Sequence, residues 1–207
     1  GKVETDPETG ERVVHSGFAD QEGRYRQRYA DLAVHPEVRD VFRTRARIVS
    51  ALRHFMDGEA FLEVETPVLQ PLYGGATARP FVTHHNALDR RMYLRIADEL
   101  YLKRLIVGGF ERVYEIAHDF RNEGLSRVHN PEFTMLEFYQ AFADYHDMME
   151  LVERLCVHVV TGVAGTAEVE YGGETLRFEA PFERIRFLGA LGDALGTRPV
   201  DWMGDWA

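Results

Sequence analysis

Apolar residues recur at helical spacing from Pro36 to about Met56, at Val38, Val41, Phe42, Ile48, Val49, Leu52, Phe55 and Met56. Proline is tolerated in a first helical turn and Gly58 stands near the end, so the pattern predicts one long amphipathic helix. Arg39, Arg43, Arg45, Arg47 and Arg53 occupy much of its polar side, a solvated face. The period then changes to two over residues 61–66, a strand stopped by Pro67. Gly74-Gly75 marks a loop, residues 93–96 a short strand, and residues 98–107 a helix closed by Gly108-Gly109. Two strand-like runs follow, 112–120 and 133–142, joined by the polar loop 122–131. Long loops between strands are more often functional than idle. A second amphipathic helix carries Met148, Met149, Leu151, Val152, Leu155, Val159 and Val160 on its apolar side. Asp147, with Glu150 three residues on, resembles a capping box at its start. Residues 169–176 predict a hairpin turning at Gly172-Gly173. Residues 1 to about 23 are polar and lack apolar periodicity, which predicts a linker or the edge of a further domain. Helices mixed with strands that look antiparallel predict an α+β fold.

Composition narrows the class. A chain of 207 residues with 45% hydrophobic and 12% aromatic residues can build one packed domain, with a second only if small, and excludes wholesale disorder. No apolar run approaches the ~20 residues that a membrane span needs, and no basic stretch followed by an apolar one opens the chain. The start at Gly1-Lys2, without methionine, predicts a fragment or a processed or tagged chain. Cys156 is the single cysteine, which excludes an internal disulfide or a cysteine zinc site and leads us to expect a cytoplasmic location. The net charge of −10, from 34 acids and 24 bases, argues against gripping nucleic acid by bulk charge but leaves a local basic patch open. Only Lys2 and Lys103 are lysines. That bias reads first as a GC-rich genome, yet arginine is also the better phosphate fork.

The period of two sorts the side chains of the central hairpin. Glu115, Ala117, Asp119 and Arg121 share a face in its first strand; Phe133, Met135, Glu137 and Tyr139 share one in its second. Both faces of the second strand are largely apolar, so the sheet is expected to be covered on both sides. A carboxylate at Glu137 is then costly unless a cation or strong donors meet it. The cation could be internal, Arg121 or Arg112, or it could belong to a ligand. Arg121 is open in the same way, between an internal ion pair and a phosphate fork. His84-His85 point to opposite sides of an extended segment and His118 and His129 are isolated, so no histidine metal site is expected. No phosphate-binding GxxxxGK loop, no GxGxxG after a strand and no GxSxG nucleophile elbow occurs.

The residues Phe120-Arg121-Asn122-Glu123-Gly124 and the run His129-Asn130-Pro131-Glu132-Phe133-Thr134-Met135-Leu136-Glu137-Phe138-Tyr139 closely resemble motif 2 of class II aminoacyl-tRNA synthetases, specifically the lysyl-tRNA synthetases. The helix from Pro36 and the strand ending Glu63-Val64-Glu65-Thr66-Pro67 look like motif 1, the dimer interface of that class. Residues 24–32, 74–81 and 93–104 are also similar to the family, and the resemblance covers 24 to about 185. It implies the class II catalytic fold, an antiparallel sheet flanked by helices, over residues 24–207, with 1–23 as the edge of an absent N-terminal domain. It implies that Arg121 holds the α-phosphate of ATP and the carboxylate of lysine, and is the catalytic residue. Phe133 would stack on adenine, Glu123 and Asn130 would contact the base or its surroundings, and His129 would lie near the outer phosphates. Gly75 and Glu99 would receive the α-amino group of lysine, and Glu137 with Tyr139 its ε-ammonium.

The implied activity is ATP-dependent activation of lysine and its transfer to tRNA(Lys), by a homodimer, with Mg2+ held by ligands outside this segment. Two departures stand beside this. The loop reads Ser126-Arg127-Val128-His129, where many relatives carry a basic residue directly before His-Asn, and Arg127 occupies a neighbouring position. The 207 residues also hold no glycine-rich motif 3 and no anticodon-binding domain, which predicts a partial synthetase with little activity of its own. The alternatives are the paralogue that lysylates elongation factor P and a non-catalytic synthetase-like module kept for dimerisation or regulation.

Overall fold

The computed structural model describes residues 2–5, 10, 12–15 and 18–196; the sequence from 197 onward, including the Trp202 to Ala207 end, lies outside the described residues. No described helix is long and apolar enough to cross a membrane. The chain divides into two compact units, 1–53 and 54–207.

In the first unit, strands β1 (Lys2–Thr5) and β2 (Arg12–His15) pair antiparallel with Lys2 opposite His15. They fall within the stretch that the sequence reads as a linker, because two four-residue strands can pair through backbone alone without a legible apolar period. Asp20 caps helix α1 (Gln21–Arg26) by accepting from the Gly23 amide at 2.7 Å. Helix α2 (Arg28–Val34) follows, and its Asp31 is wholly buried. Asp31 accepts from Arg24 Nε at 2.6 Å, pairs with Arg28, and meets His35 Nδ1 at 2.8 Å. Helix α3 (Pro36–Gly58) runs as the apolar spacing predicts and crosses from the first unit into the second.

The second unit is built on a hairpin. Strands β7 (Arg112–Phe120) and β8 (Glu132–Gln140) pair antiparallel over their full length, with Arg112 opposite Gln140 and Glu115 opposite Glu137. The preceding segments supply β3 (Leu62–Glu63), β4 (Leu69–Gln70), β5 (Val82–His85), β6 (Arg90–Leu94) and helix α4 (Glu99–Val107). The order β3-β7-β8 forms one three-stranded sheet and β4-β6-β5 another. Here the reading of 61–66 as a long strand is corrected: only Leu62 and Glu63 pair, and they run parallel to β7. Beyond them Val64 still bonds the Tyr114 carbonyl, but Thr66 turns its amide to the Glu115 side chain instead of to a ladder. One parallel pair therefore interrupts the expected antiparallel pattern.

Helix α5 (Tyr145–Ala164) starts one turn before the predicted box. Asp144 is its cap and Asp147 the reciprocal third residue, so the box is Asp144/Asp147 and not Asp147/Glu150. Strands β9 (Glu168–Tyr171) and β10 (Glu174–Arg177) form the hairpin predicted at Gly172-Gly173, and helix α6 (Phe187–Leu195) ends the described chain. Phe55, Met56, Phe61, Ile96, Leu102, Val113, Ala117, Leu151 and Leu155 are its buried apolar core. On one face of β7, Tyr114 is wholly buried with its hydroxyl on Asp57 at 2.8 Å.

Candidate active site

Antiparallel register puts directly opposed residues on one face, so Glu115, Asp119, Phe133, Glu137 and the Arg121 end of β7 look the same way. Two glutamates facing each other would repel, and each is satisfied separately. Glu115 accepts from the Thr66 amide (3.1 Å), the Thr66 hydroxyl (2.6 Å) and Arg95 Nη1 (2.7 Å). Glu137 accepts from the Tyr139 hydroxyl at 2.7 Å and, at 3.0 Å, from the Asp98 amide at the start of α4. Neither internal cation proposed from the sequence reaches it. Arg112 donates to the Glu59 carbonyl at 2.7 Å, and Arg121 lies 3.4 Å from the Ile96 carbonyl and 5.0 Å above the Phe133 ring. Glu137 is thus oriented by two neutral donors and, among the described residues, has no cation in contact.

The open end of the hairpin is concave. Arg121, Glu123, Gly124, Val128, His129, Asn130 and Phe133 line a cavity of about 460 Å³. All five residues assigned to ATP from the sequence therefore face one space. The loop is shaped by its own bonds: the Arg121 amide to the Pro131 carbonyl (2.8 Å), and Ser126 Oγ to His129 Nδ1 (2.8 Å). Arg79 joins it from the 74–81 segment, its carbonyl accepting from the Asn122 amide (2.8 Å) and its amide donating to Glu123 Oε1 (3.3 Å).

Gly75 and Glu99 also meet. Gly75 has φ of +88°, and a Cβ there would lie 2.8 Å from Glu99 Cβ and 3.2 Å from Ala97 Cβ, so glycine is required for this approach. Glu99 Oε1 accepts from Lys103 Nζ at 2.6 Å, and that ammonium lies 5.6 Å from the Tyr139 ring centroid.

Sequence reasoning missed the groups behind Glu137. Arg95, Ile96, Ala97 and Asp98 pass buried across the hairpin face. Arg95 spends its Nε–H on the His118 carbonyl (2.9 Å) and Nη1 on Glu115 and Thr66. It lies 3.0 Å from Asp98 Oδ1 and 3.6 Å from Asp119 Oδ1, but neither aspartate gains an aligned hydrogen bond. Both aspartates are wholly removed from solvent. Burial pushes the Asp98 carboxyl up to about 7, with the Asp119 charge adding to it against the pull of Arg95. Burial pushes Asp119 up to about 6, where Arg95 opposes and Glu137 adds. Burial and the bond to Glu137 raise the Tyr139 phenol as well, keeping it a donor. Carboxylate oxygens of Asp98, Asp119 and Glu137 lie within 4.8 Å of one another. Period two had already put Glu115 and Asp119 on one face, and the spacing of Arg95 and Asp98, three apart just before a helix, was a further signal for this cluster.

A family model described as class II tRNA synthetases (D, K and N) matches residues 20–201. The chain is 60% identical over 188 residues to a lysine–tRNA ligase of Carboxydothermus hydrogenoformans, covering 91% of this chain and 38% of that protein. Lysine–tRNA ligases of Roseiflexus castenholzii (61% over 180 residues; 87% and 37%) and Psychrobacter arcticus (58% over 175; 84% and 34%) are similar in the same way. The chain spans little more than a third of the length of these relatives.

Proposed function

The chain belongs to the class II tRNA synthetases of the D, K and N group, and from that premise we propose that the protein carrying it is a lysine–tRNA ligase. The observation that carries the lysine reading is Glu137: a carboxylate held by Tyr139 and the Asp98 amide, with no cation in contact among the described residues. A substrate ammonium supplies the missing charge. Beside it, Arg121, Glu123, His129, Asn130 and Phe133 form the ATP cavity, and Gly75 with Glu99 takes the α-amino group, displacing or sharing Lys103.

In this reading a carboxylate oxygen of lysine attacks the α-phosphorus of ATP and pyrophosphate leaves. A terminal ribose hydroxyl of tRNA then attacks the adenylate carbonyl and AMP leaves. No protein nucleophile is needed: Arg121 bridges the two reacting groups and meets charge that grows as they combine, while Phe133 fixes the base. The cavity lining offers a single carboxylate, Glu123, whose Oε1 already accepts from Arg79. This lining does not fit a Mg2+ site, which supports the reading that Mg2+ is held by ligands outside this segment. A homodimer in the cytoplasm completes the proposal; in support, α3 leaves Val41 and Phe42 exposed, and β3 leaves Leu62 exposed.

The test is lysine-dependent ATP–pyrophosphate exchange by the full-length protein, followed by transfer to tRNA or to elongation factor P. Glu137→Gln is expected to raise the KM for lysine by about 30- to 1000-fold, the equivalent of ~2–4 kcal/mol, with little change for ATP. An unchanged lysine KM would refute the ammonium assignment. Lysylation of elongation factor P in place of tRNA would favour the paralogue, and no exchange at all the non-catalytic module.

A further inference from the structure

The cluster behind Glu137 holds more negative charge than it balances. Four carboxylates face one another there: Glu115 from β7, Asp119 from β7, Glu137 from β8 and Asp98 from the start of α4. Among the described residues Arg95 is the one buried cation beside them, and its aligned N–H groups are spent on Glu115, Thr66 and the His118 carbonyl. Arg121 lies at the edge, bonded to the Ile96 carbonyl, and Lys103 is turned to Glu99 on the exposed side of α4. All four side-chain oxygens of Asp98 and Asp119 are buried without a hydrogen-bond donor, yet they share a 4.8 Å cluster with the Glu137 carboxylate. A buried carboxylate without donors is stable only if it takes up a proton or a cation.

We infer that Asp98 and Asp119 are specificity-determining residues of the lysine side-chain pocket, holding a proton while it is empty and releasing it when an ammonium docks on Glu137. The inference rests on the reading of Glu137 as the ammonium subsite. The exchange leaves the net charge around the buried Asp98 and Asp119 side chains unchanged. The ammonium arrives with its three hydrogens, an aspartic O–H gives its proton to solvent, and the new carboxylate is stabilised by the cation now nearby. A neutral side chain of the same length cannot drive that release. It would meet a protonated, polar but uncharged wall, so selection for a cation comes from the whole cluster and not from Glu137 alone. Burial, which pushes Asp98 up to about 7 and Asp119 up to about 6, puts the exchange within the neutral range. Glu115 is already met by three donors and contributes no oxygen to the cluster's unpaired set.

Linkage makes this measurable: the slope of log affinity against pH equals the number of protons released. Lysine binding to the full-length protein, without nucleotide, would be followed by titration calorimetry in two buffers of different ionisation enthalpy between about pH 5.5 and 7.5. We expect release of about half a proton to one proton per lysine near neutrality, and affinity that rises about three- to ten-fold per pH unit. In Asp98→Asn, and separately in Asp119→Asn, lysine should still bind with the release at least halved. The wild-type titration stands whether or not either variant folds. Lysine binding with no proton release and flat affinity would overturn the inference while leaving the function intact. Failure to bind lysine at all would instead sink the functional reading beneath it. Saturable binding of MgCl2 alone that competes with lysine and disappears in Asp98→Asn would also overturn it, by making the cluster a metal site.

Discussion

Asp31 in the first unit and Asp119 in the second are both wholly buried, and the two are kept in opposite ways. Asp31 is met by Arg24, Arg28 and His35; burial pushes its carboxyl up, but those three partners outweigh it and hold it below the usual range. Asp119 has Arg95 at 3.6 Å without an aligned bond, and stands at about 6. Both environments desolvate a carboxylate; they differ in whether donors were supplied. A surrounded acid ties its own helix together, as Asp31 ties α1 to α2. A starved one stores unfavourable energy that only an incoming cation or proton relieves, which suits a binding pocket better than a core.

The most severe way to break the comparison is to remove Arg95, the cation buried within the starved cluster. Arg95→Met should leave Glu115, Asp98 and Asp119 facing one another with Arg121, at the edge of the cluster, as the counter-charge remaining to Asp119, and take from the His118 carbonyl and Thr66 their donor. Breaking a buried ion pair from one side typically costs ~3–5 kcal/mol. We expect urea unfolding of the full-length protein to show a loss of unfolding free energy of that order, partly recovered at low pH, where the acids protonate. A loss independent of pH would mean Arg95 acts by packing and hydrogen bonding alone.

A smaller effect follows from proton linkage, and its sign differs between the two regions. Asp98 and Asp119 stand above their ordinary value, so they favour the folded state fully below about pH 4, and that contribution is lost as pH rises through about 6 to 7. Asp31 stands below its ordinary value, so its contribution is present above about pH 4 and is lost as pH falls further. Of these three aspartates, only Asp98 and Asp119 titrate between pH 5 and 8. Unfolding midpoints should decline across that window by the equivalent of about 1–3 kcal/mol, the full shifts being reduced by Arg95 and by relaxation. A rising midpoint there would contradict the assignment of raised values to Asp98 and Asp119.

These contrasts also mark where the chain was legible. The long α3, the Arg112–Phe120 strand and the β9–β10 hairpin follow from local pattern, because each buries a face or turns at residues that the sequence displays. The Glu137 problem was legible too: period two placed an acid among apolar neighbours and demanded a partner. What pattern could not supply was the partner's absence. Arg112 and Arg121 were equally eligible by sequence, and only the register with Glu59 and Ile96 shows them engaged elsewhere. The 61–66 strand failed because Thr66 spends its amide on Glu115, forty-nine residues away, a choice no local period records. Asp98 escaped notice for the same reason. As the residue before α4 it looks like a helix cap, but its side chain makes no capping bond and turns inward, while its amide serves Glu137.

The finest test puts the same isosteric change into both aspartates. Asp31→Asn removes the charge that Arg24, Arg28 and the His35 ring meet, so the first unit should lose stability at every pH above about 4. Asp119→Asn removes a charge that nothing donates to, and its amide brings two donors within reach of the Glu137 and Asp98 carboxylates, which share the cluster. At pH 8, where the aspartate is ionised at a cost, this variant should equal or exceed wild type by roughly 0.5–1 kcal/mol in thermal or urea unfolding. At pH 5 the native side chain is already neutral, so the same substitution should be nearly silent. The gain should come with weaker lysine binding at pH 8, since the ammonium loses one of the charges that favour it. If Asp119→Asn instead destabilised as Asp31→Asn does, with the same pH dependence, then Arg95 at 3.6 Å would be a full partner. The difference between the two regions would then be one of geometry, not of charge held in reserve.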